Sequence, residues 1–460
     1  MGYVAVRGGG KAIEESLKLL EYQRVSASSA WGTDEIEGTF PELVDQVMGE
    51  ASLYAPRLAA LALKQAQGSP DEAVFLLRAF RSTLERPYVS RPVDTGAMRV
   101  NRRVSAAFKD VPGGQVLGAT RDYSHRLLAF DLETEGAEEL AEKRAELAAH
   151  FEKVAEALEA APDVAPAASP CAEIPVGVGC CPPAGAQQGT PTKSPDTAVP
   201  GAPQTPATLP RVLDYLRAQG LLAHVEADDA PPVDATMAPL SFPAPRSVRL
   251  QTLARGMTQA VEALGYAAIR GFGPAHPTVG ELRSGRVAVA VDHPLEAGGE
   301  QDAYYLGSVP VTEVESVFES EGESDADGGT ATATRSDGGG LSLAIGYGLV
   351  FGRAETKAIA MSVLDHCLER GDKRFPTEDE EFVLYHVDGV EATGFISHLK
   401  LPHYVTFQSK LSSVRGTRDE HSECGECDPH GTRVAHDPQS TRDPHDQPAE
   451  SKEARDAAAL

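Results

Sequence analysis

The sequence predicts an α+β fold, in which a mainly helical N-terminal region is followed by a mixed α/β C-terminal domain. Apolar residues recur at helical spacing through most of the first 160 residues. Apart from a short alternating run at Tyr3–Val6, the strand-like apolar runs lie in the second half, at 286–291, 309–314 and 341–350, and further helical patterns lie between them. The order of these patterns places the helices first and the sheet later.

The N-terminal region is expected to open as a strand at Tyr3–Val6, a tight turn at Gly8–Gly10 and a helix over 11–24. Glycines and Lys11 between a strand and a helix resemble the setting of a phosphate-binding loop. Ala12 follows the lysine, however, and the Gly-x-x-x-x-Gly-Lys-Ser/Thr spacing is missing. We therefore interpret the glycines as a structural turn.

The clearest helix start lies at Ser69. Ser69 can cap the helix, Pro70 suits the first helical position, and Glu72 completes a capping box. The apolar stripe that follows predicts a helix that reaches about Leu84. A long amphipathic pattern over 138–160 ends the helical region.

Changes in composition divide the chain. A mainly helical domain is predicted over 1–160, and a Pro/Ala-rich disordered linker or insertion over 161–206. A mixed α/β domain follows over 207–416, and its acidic, Gly-rich stretch 319–340 is expected to be a surface loop. The polar residues 417–460 are expected to form a disordered tail.

The elements of the second domain follow from the same periodicities. A helix start is predicted at Thr208–Pro210, helical spacing continues over 248–264, and a further helix is predicted over 353–370. That last helix is interpreted as core or subunit interface, with Cys367 buried in it. A strand is predicted over 382–387.

The charge of the chain excludes some classes of partner. Its 68 acidic and 42 basic residues give a net charge of −26, which repels nucleic acid and anionic lipid. We interpret this charge as halophilic adaptation to a high-salt cytoplasm; the alternative is an acidic tail and insert on an ordinary domain. There is no apolar run of transmembrane length, no secretory signal and no disulfide framework among the six cysteines. A cytoplasmic protein is expected.

Several long blocks stand out in the sequence, among them YVAVRGGGKAIEES at Tyr3–Ser16, EAVFLLRAFRSTL at Glu72–Leu84, RRVSAAFKDVPGGQVLGATRDYSHRLL at Arg102–Leu128, GYGLVFGRAETKAIAMSVLD at Gly346–Asp365 and EEFVLYHVDGVEATGFISHLKLPHYVTFQSKL at Glu380–Leu411. These blocks resemble the PhnI family, whose members are subunits of the carbon–phosphorus lyase core complex. The resemblance covers both folded regions but not the linker, the acidic loop or the tail.

The resemblance implies a transferase subunit of phosphonate catabolism. An alkylphosphonate oxygen would attack the anomeric carbon of ATP, release adenine and leave a ribose 1-alkylphosphonate 5-triphosphate. Without partners, the family member resembles a purine nucleotide nucleosidase. Two alternatives stay open: a dimeric scaffold without its own active site, and a stand-alone nucleosidase unrelated to phosphonates.

The resemblance also implies the partners. They are the radical subunit PhnJ, the small core subunits PhnG and PhnH, and the ATP-binding-cassette-type subunits PhnK and PhnL. A homodimer is expected within the complex. The iron–sulfur cluster and S-adenosylmethionine would belong to the radical subunit alone.

Displacing a purine from ribose requires carboxylates, proton donors and basic groups together. The segment Arg121–Arg126 offers all three, after a Gly113-Gly114 turn that could bring the backbone close to a ligand. We therefore predict Asp122 and His125 as catalytic residues and Arg121 and Arg126 as substrate-binding residues. The alternative is that Asp122 caps a helix and the two arginines form surface ion pairs.

Histidines supply the remaining candidates. The matching histidines of the family imply that His398 and His403 hold zinc, on an irregular segment at the end of a strand, with a third ligand from substrate, water or a partner chain. His276, on a Gly-rich loop, is a secondary substrate-binding candidate. Cys424 and Cys427, with nearby histidines, have the ligand types of a zinc knuckle but lack an apolar shell. This tail is interpreted as an incidental or labile metal binder.

Overall fold

The computed structural model describes residues 9–26, 30–160, 209–222, 232–271, 276–294, 303–320, 342–401 and 404–423. The predicted strand at Tyr3–Val6, the segment 161–206, nearly all of the acidic loop and the Cys424/Cys427 pair lie outside these residues. The chain forms two units, Met1–His398 and Leu399–Leu460.

The described part of the first unit combines helices with a four-stranded sheet, which confirms the predicted α+β class. Its helices are α1 Gly9–Arg24, α2 Thr33–Thr39, α3 Pro41–Ala51, α4 Pro56–Gln65, α5 Pro70–Arg81, α6 Ala137–Ala160, α7 Asp214–Ala218, α8 Arg246–Arg255, α9 Thr258–Ile269, α10 Glu355–Arg370, α11 Glu380–His386 and α12 Gly389–His398. The strands are β1 Arg99–Val104, β2 Thr278–Asp292, β3 Ala303–Ser320 and β4 Ser342–Phe351.

The second unit is described only in part. It contains α13, Tyr404–Glu423. This helix extends past residue 417, where the disordered tail was predicted to begin, so that boundary is corrected. No helix among the described residues of either unit is long and apolar enough to cross a membrane.

The sheet is antiparallel, in the order β1-β2-β3-β4. The runs predicted as strands at 286–291 and 309–314 lie within β2 and β3, and the described part of the run at 341–350 lies within β4. β1, which precedes the 161–206 segment, pairs with β2 through Arg103 opposite Arg283. The sheet therefore contains strands that precede the 161–206 segment in the sequence and strands that follow it.

The N-terminal helical predictions are largely confirmed. α1 and α6 match the patterns at 11–24 and 138–160. The Ser69 hydroxyl accepts a hydrogen bond from the Glu72 backbone N–H at 3.5 Å, as predicted for a cap. The backbone N–H of Ser69 donates to Ala66 O, so the Glu72 side chain does not complete the capping box. α5 ends at Arg81, short of Leu84.

One predicted element in the second half was wrong, and another, the helical pattern over 248–264, is confirmed as helical but is divided into two helices. The strand predicted over 382–387 is helix α11, which Asp379 caps by accepting from Phe382 N at 2.9 Å. Its buried residues, Val383 and Leu384 with Val387, follow helical spacing. The pattern over 248–264 is two helices, since the chain turns at Gly256, where a Cβ would lie 2.9 Å from Val387 Cβ.

α10 packs directly on β4 and forms the main core with the sheet. Leu282, Val314 and Val350 from the strands meet Met361 and Leu364 from α10. The glycines of the Gly-Tyr-Gly sequence in β4 permit this close approach: a Cβ on Gly346 would lie 1.9 Å from Ser362 O, and one on Gly348 would lie 2.1 Å from Ala358 O. The rest of α10 is thereby held at a fixed distance from the sheet.

Replacing Gly348 with Ala should lower the free energy of unfolding by about 1–3 kcal/mol, because the added methyl group forces α10 away from β4. Urea denaturation would measure the loss. Gly38→Ala is the matched control: Gly38 lies in α2, and nothing stands within 4 Å of the added carbon. If Gly348→Ala and Gly38→Ala had the same free energy of unfolding, α10 would not pack closely against Gly348.

Candidate functional site

The first unit contains a cleft of about 2750 Å³. Its walls are α2 and α3, the middle of β1 and β2, the segment 115–128 and the start of α10. The charged residues that line it are the acids Glu37, Glu42, Asp45, Asp122, Glu262 and Glu355, and the bases Arg99, Arg102, Arg121, Arg126, Arg286 and Arg353. The cleft therefore offers carboxylates and guanidinium groups to the same ligand.

The guanidinium of Arg102 lies between two carboxylates in the cleft wall. Arg102 sits on β1 opposite Ser284, and its side chain is only 7% exposed. Its Nη2 donates to Asp122 Oδ2 at 2.5 Å, and its Nη1 donates to Leu117 O at 2.6 Å. Its Nε lies 2.9 Å from Glu355 Oε1. One buried cation thus positions Asp122 and Glu355, which are far apart in the sequence.

Backbone pairing brings Asp122 to this place. Val116 exchanges two hydrogen bonds with Arg103, so the segment after the Gly113-Gly114 turn runs alongside β1. Gly118 allows the contact to continue, since it has a φ of +61° and a Cβ there would lie 2.6 Å from Asn101 O. Asp122 follows four residues later, above Arg102.

Burial changes the acidity of several carboxyl groups in the cleft. It raises the pKa of Glu355, the nearby Arg102 guanidinium opposes this effect, and the charge of Asp122 adds to it. Burial also raises the pKa of Asp45, which accepts a hydrogen bond from Arg353 N at 3.2 Å, and the pKa of Glu262. Such shifts are common where carboxyl groups take part in proton transfer.

The structure brings three of the predicted residues to the cleft. Arg121, Asp122 and Arg126 line it; Arg126 Nη2 lies 3.6 Å from Asp122 Oδ1, and Arg121 Nη2 lies 3.4 Å from Glu42 Oε1. Asp122 does not cap a helix. His125 is exposed and is not among the described residues that line the cleft.

The other predicted residues lie elsewhere. His276 is exposed just before β2 begins, eight residues from Ser284, or roughly 25 Å along an extended chain. The turn at Gly113-Gly114 serves the fold, because Arg103 Nη1 donates to Pro112 O at 2.6 Å beside it. Neither feature lines the cleft.

His398 is the last residue of helix α12, so the strand predicted before the histidine pair is corrected to a helix. Its Nδ1 lies 2.6 Å from Phe395 O. His403 lies outside the described residues. Within the described parts of the chain, no group of three or more His, Cys, Asp or Glu side chains could hold a metal ion. The zinc pair stays a prediction.

Sequence reasoning missed Arg102 and Glu355. Both lie in blocks that carried the family resemblance, yet Arg102 was given no role and the helix that begins at Glu355 was interpreted as core or interface. The core interpretation holds for most of α10, including the buried Cys367, but not for its first turn. A signal was available: β1 reads Arg-Val-Asn-Arg-Arg-Val, and charged side chains that become buried on a strand need partners of opposite charge.

Comparisons with known proteins agree on one family. Residues 2–421 match the family model described as bacterial phosphonate metabolism protein (PhnI). The chain is 39% identical over 426 residues to the putative C-P lyase subunit protein HtxH of Stutzerimonas stutzeri, covering 91% of this chain and 97% of the relative. It is 38% identical over 424 residues to the alpha-D-ribose 1-methylphosphonate 5-triphosphate synthase subunit PhnI of Escherichia coli K12, covering 91% and 99%. The Rhizobium meliloti protein of that name is 39% identical over 430 residues, covering 91% and 95%.

Proposed function

Because this chain belongs to the PhnI family of bacterial phosphonate metabolism proteins, we propose that it is a catalytic subunit of a ribose 1-methylphosphonate 5-triphosphate synthase. An oxygen of an alkylphosphonate attacks C1 of the ribose of ATP, and adenine leaves. The reaction belongs to the carbon–phosphorus lyase pathway, and the cleft is its site on this chain.

The arrangement of Arg102 between Asp122 and Glu355 carries this proposal. As the bond to the purine breaks, positive charge develops on the sugar, and a fixed carboxylate nearby stabilises that charge. Asp122 suits this role, since it accepts a hydrogen bond from Arg102 and is also approached by Arg126. A carboxylate held by a buried guanidinium needs little reorganisation during the reaction.

The arginines of the cleft supply the second requirement, which is binding of the triphosphate and the phosphonate. Arg121 and Arg126 stand on one side of the cleft, and Arg286 and Arg353 come from the sheet and the turn before α10. Guanidinium groups bind phosphate-type oxygens through paired, charge-assisted hydrogen bonds. On a chain of net charge −26, these guanidinium groups are needed to hold an anionic substrate.

Replacing Asp122 with Asn should lower the rate of adenine release by about 100-fold, because the amide cannot stabilise the cationic sugar. The assay supplies ATP, with or without methylphosphonate, to the protein as purified alone and with its co-purified partners. Asp131→Asn is the control, since Asp131 is exposed and outside the cleft lining. If Asp122→Asn released adenine at the wild-type rate, the cleft would not be the site of the reaction.

A scaffold function is the second candidate, and one observation favours it. Large apolar side chains are exposed along α1, where Ile13, Leu17, Leu20 and Tyr22 are each at least half accessible. Exposed apolar side chains of this kind are typical of subunit interfaces. Absence of base release by the wild-type protein, alone and with every co-purified partner, would favour the scaffold over the catalytic subunit.

A further inference from the structure

Glu355 occupies an unusual position for a surface glutamate. It is the first residue of α10, it lines the cleft, and its side chain is 24% exposed. The groups that face it come from three other elements: Arg102 from β1, Ser284 from β2 and Asp122 from the segment 115–128. The packing of α10 against the glycines of β4 fixes this place.

The two carboxyl groups beside Arg102 are held differently. Asp122 receives a hydrogen bond from Arg102 Nη2 and lies near a second cation, Arg126. Glu355 contacts only the Nε edge of the guanidinium, with Arg102 Nε 2.9 Å from its Oε1. The Ser284 hydroxyl is 3.4 Å away. Asp122 is therefore held by two guanidinium groups, and Glu355 by one.

Paired carboxyl groups in unequal surroundings commonly divide acid and base roles between them. The burial that raises the pKa of Glu355, together with the negative charge of Asp122, favours a proton on Glu355. A purine is a poor leaving group as an anion and a good one when a ring nitrogen is protonated during departure. A carboxylic acid beside the substrate supplies that proton.

We propose that Glu355 is the general acid that protonates the departing purine, while Asp122, held by Arg102, lies beside the sugar; this inference rests on the proposed function. The bond between C1 and the purine nitrogen breaks, and its electron pair stays on the purine. The Glu355 carboxyl gives its proton to a purine ring nitrogen. A phosphonate oxygen forms the new bond to C1, and the proton of the phosphonate monoanion restores the Glu355 carboxyl.

The test compares two substrates with different needs for a proton. Glu355→Gln should lower the rate of adenine release from ATP by about 100-fold. With 7-methylguanosine 5′-triphosphate, whose base already carries a positive charge and leaves without protonation, the rate should change less than threefold. Glu369→Gln is the matched control, because Glu369 lies on α10 and its side chain is 63% exposed.

The dependence on pH gives an independent measurement. With the wild-type protein, adenine release from ATP should fall as the pH rises above the pKa of Glu355, and in Glu355→Gln this decline should disappear. Glu355→Asp, which keeps a carboxyl group, should retain the decline. Melting temperatures of all variants identify any that fail to fold.

Three outcomes would overturn the inference. One is a Glu355→Gln rate on ATP within threefold of wild type, and another is an equal loss on both triphosphates, which would make Glu355 a binding or structural residue. The third is an unchanged pH profile in Glu355→Gln. Release of no base from either substrate by the wild-type protein would instead reject the proposed function itself, so the two failures are distinguishable.

Discussion

Arg102→Met is expected to lower the rate of adenine release by about 1000-fold, more than the loss of either carboxyl group that Arg102 holds. The guanidinium lies between Asp122 and Glu355 and is almost completely buried. Without it, the two carboxyl groups lose the cation that lies between them, and only the more distant Arg126 remains beside Asp122. Asp122 loses the donor that fixes its orientation, and Glu355 loses the guanidinium that opposes the rise of its pKa on burial.

Single-turnover release of adenine from ATP measures this effect. Arg102→Lys is the informative companion variant: a lysine keeps the charge but cannot donate to Leu117 O and Asp122 while also reaching Glu355. We expect it to recover only part of the lost rate. A wild-type rate in Arg102→Met would show that the carboxyl pair needs no cation between its members.

The largest expected effect on stability comes from the opposite face of the sheet. Replacing Glu313 with Gln should lower the free energy of unfolding by about 3 kcal/mol or more, because it breaks a buried ion pair and leaves Arg283 uncompensated. Glu313 accepts hydrogen bonds from Arg283, from Thr95 Oγ1 at 2.7 Å and from Tyr347 OH at 2.9 Å. Arg211 Nη2 lies 3.2 Å away.

This contribution should also depend on pH. Burial acts to raise the pKa of Glu313, but Arg283, Thr95 and Arg211 outweigh it, so the folded-state pKa lies below the ordinary value. The unfolded chain therefore takes up a proton first as the pH falls. The stabilisation is complete above the unfolded pKa, and it is lost as the pH falls through the folded pKa.

Urea denaturation at neutral and at acidic pH would measure both effects. The difference in unfolding free energy between wild type and Glu313→Gln should shrink at acidic pH. Glu319→Gln is the control, since Glu319 lies on the same strand and is exposed. A difference below 1 kcal/mol at neutral pH would mean that the network around Glu313 contributes little to the fold.

Features that depend on neighbouring residues could be predicted from the sequence. The Ser69 cap, the helix at 138–160 and the strand runs inside β2, β3 and β4 all follow from spacing and capping within one element. The family also follows from the sequence, because long blocks of residues carry it. The prediction of a strand over 382–387 was wrong because so short an apolar run fits the periodicity of a strand as well as that of a helix. Packing of its apolar residues against the core determined that the segment is helical.

Only the tertiary structure decided which charges share the cleft. Arg102, Asp122 and Glu355 meet because β1 pairs with β2, the segment after Gly114 runs back along β1, and α10 packs on the glycines of β4. Periodicity describes the geometry of one element, whereas an ion pair depends on how several elements pack together. The sequence by itself therefore determined the fold class, most of the elements and the family, and the packing of distant segments determined the site.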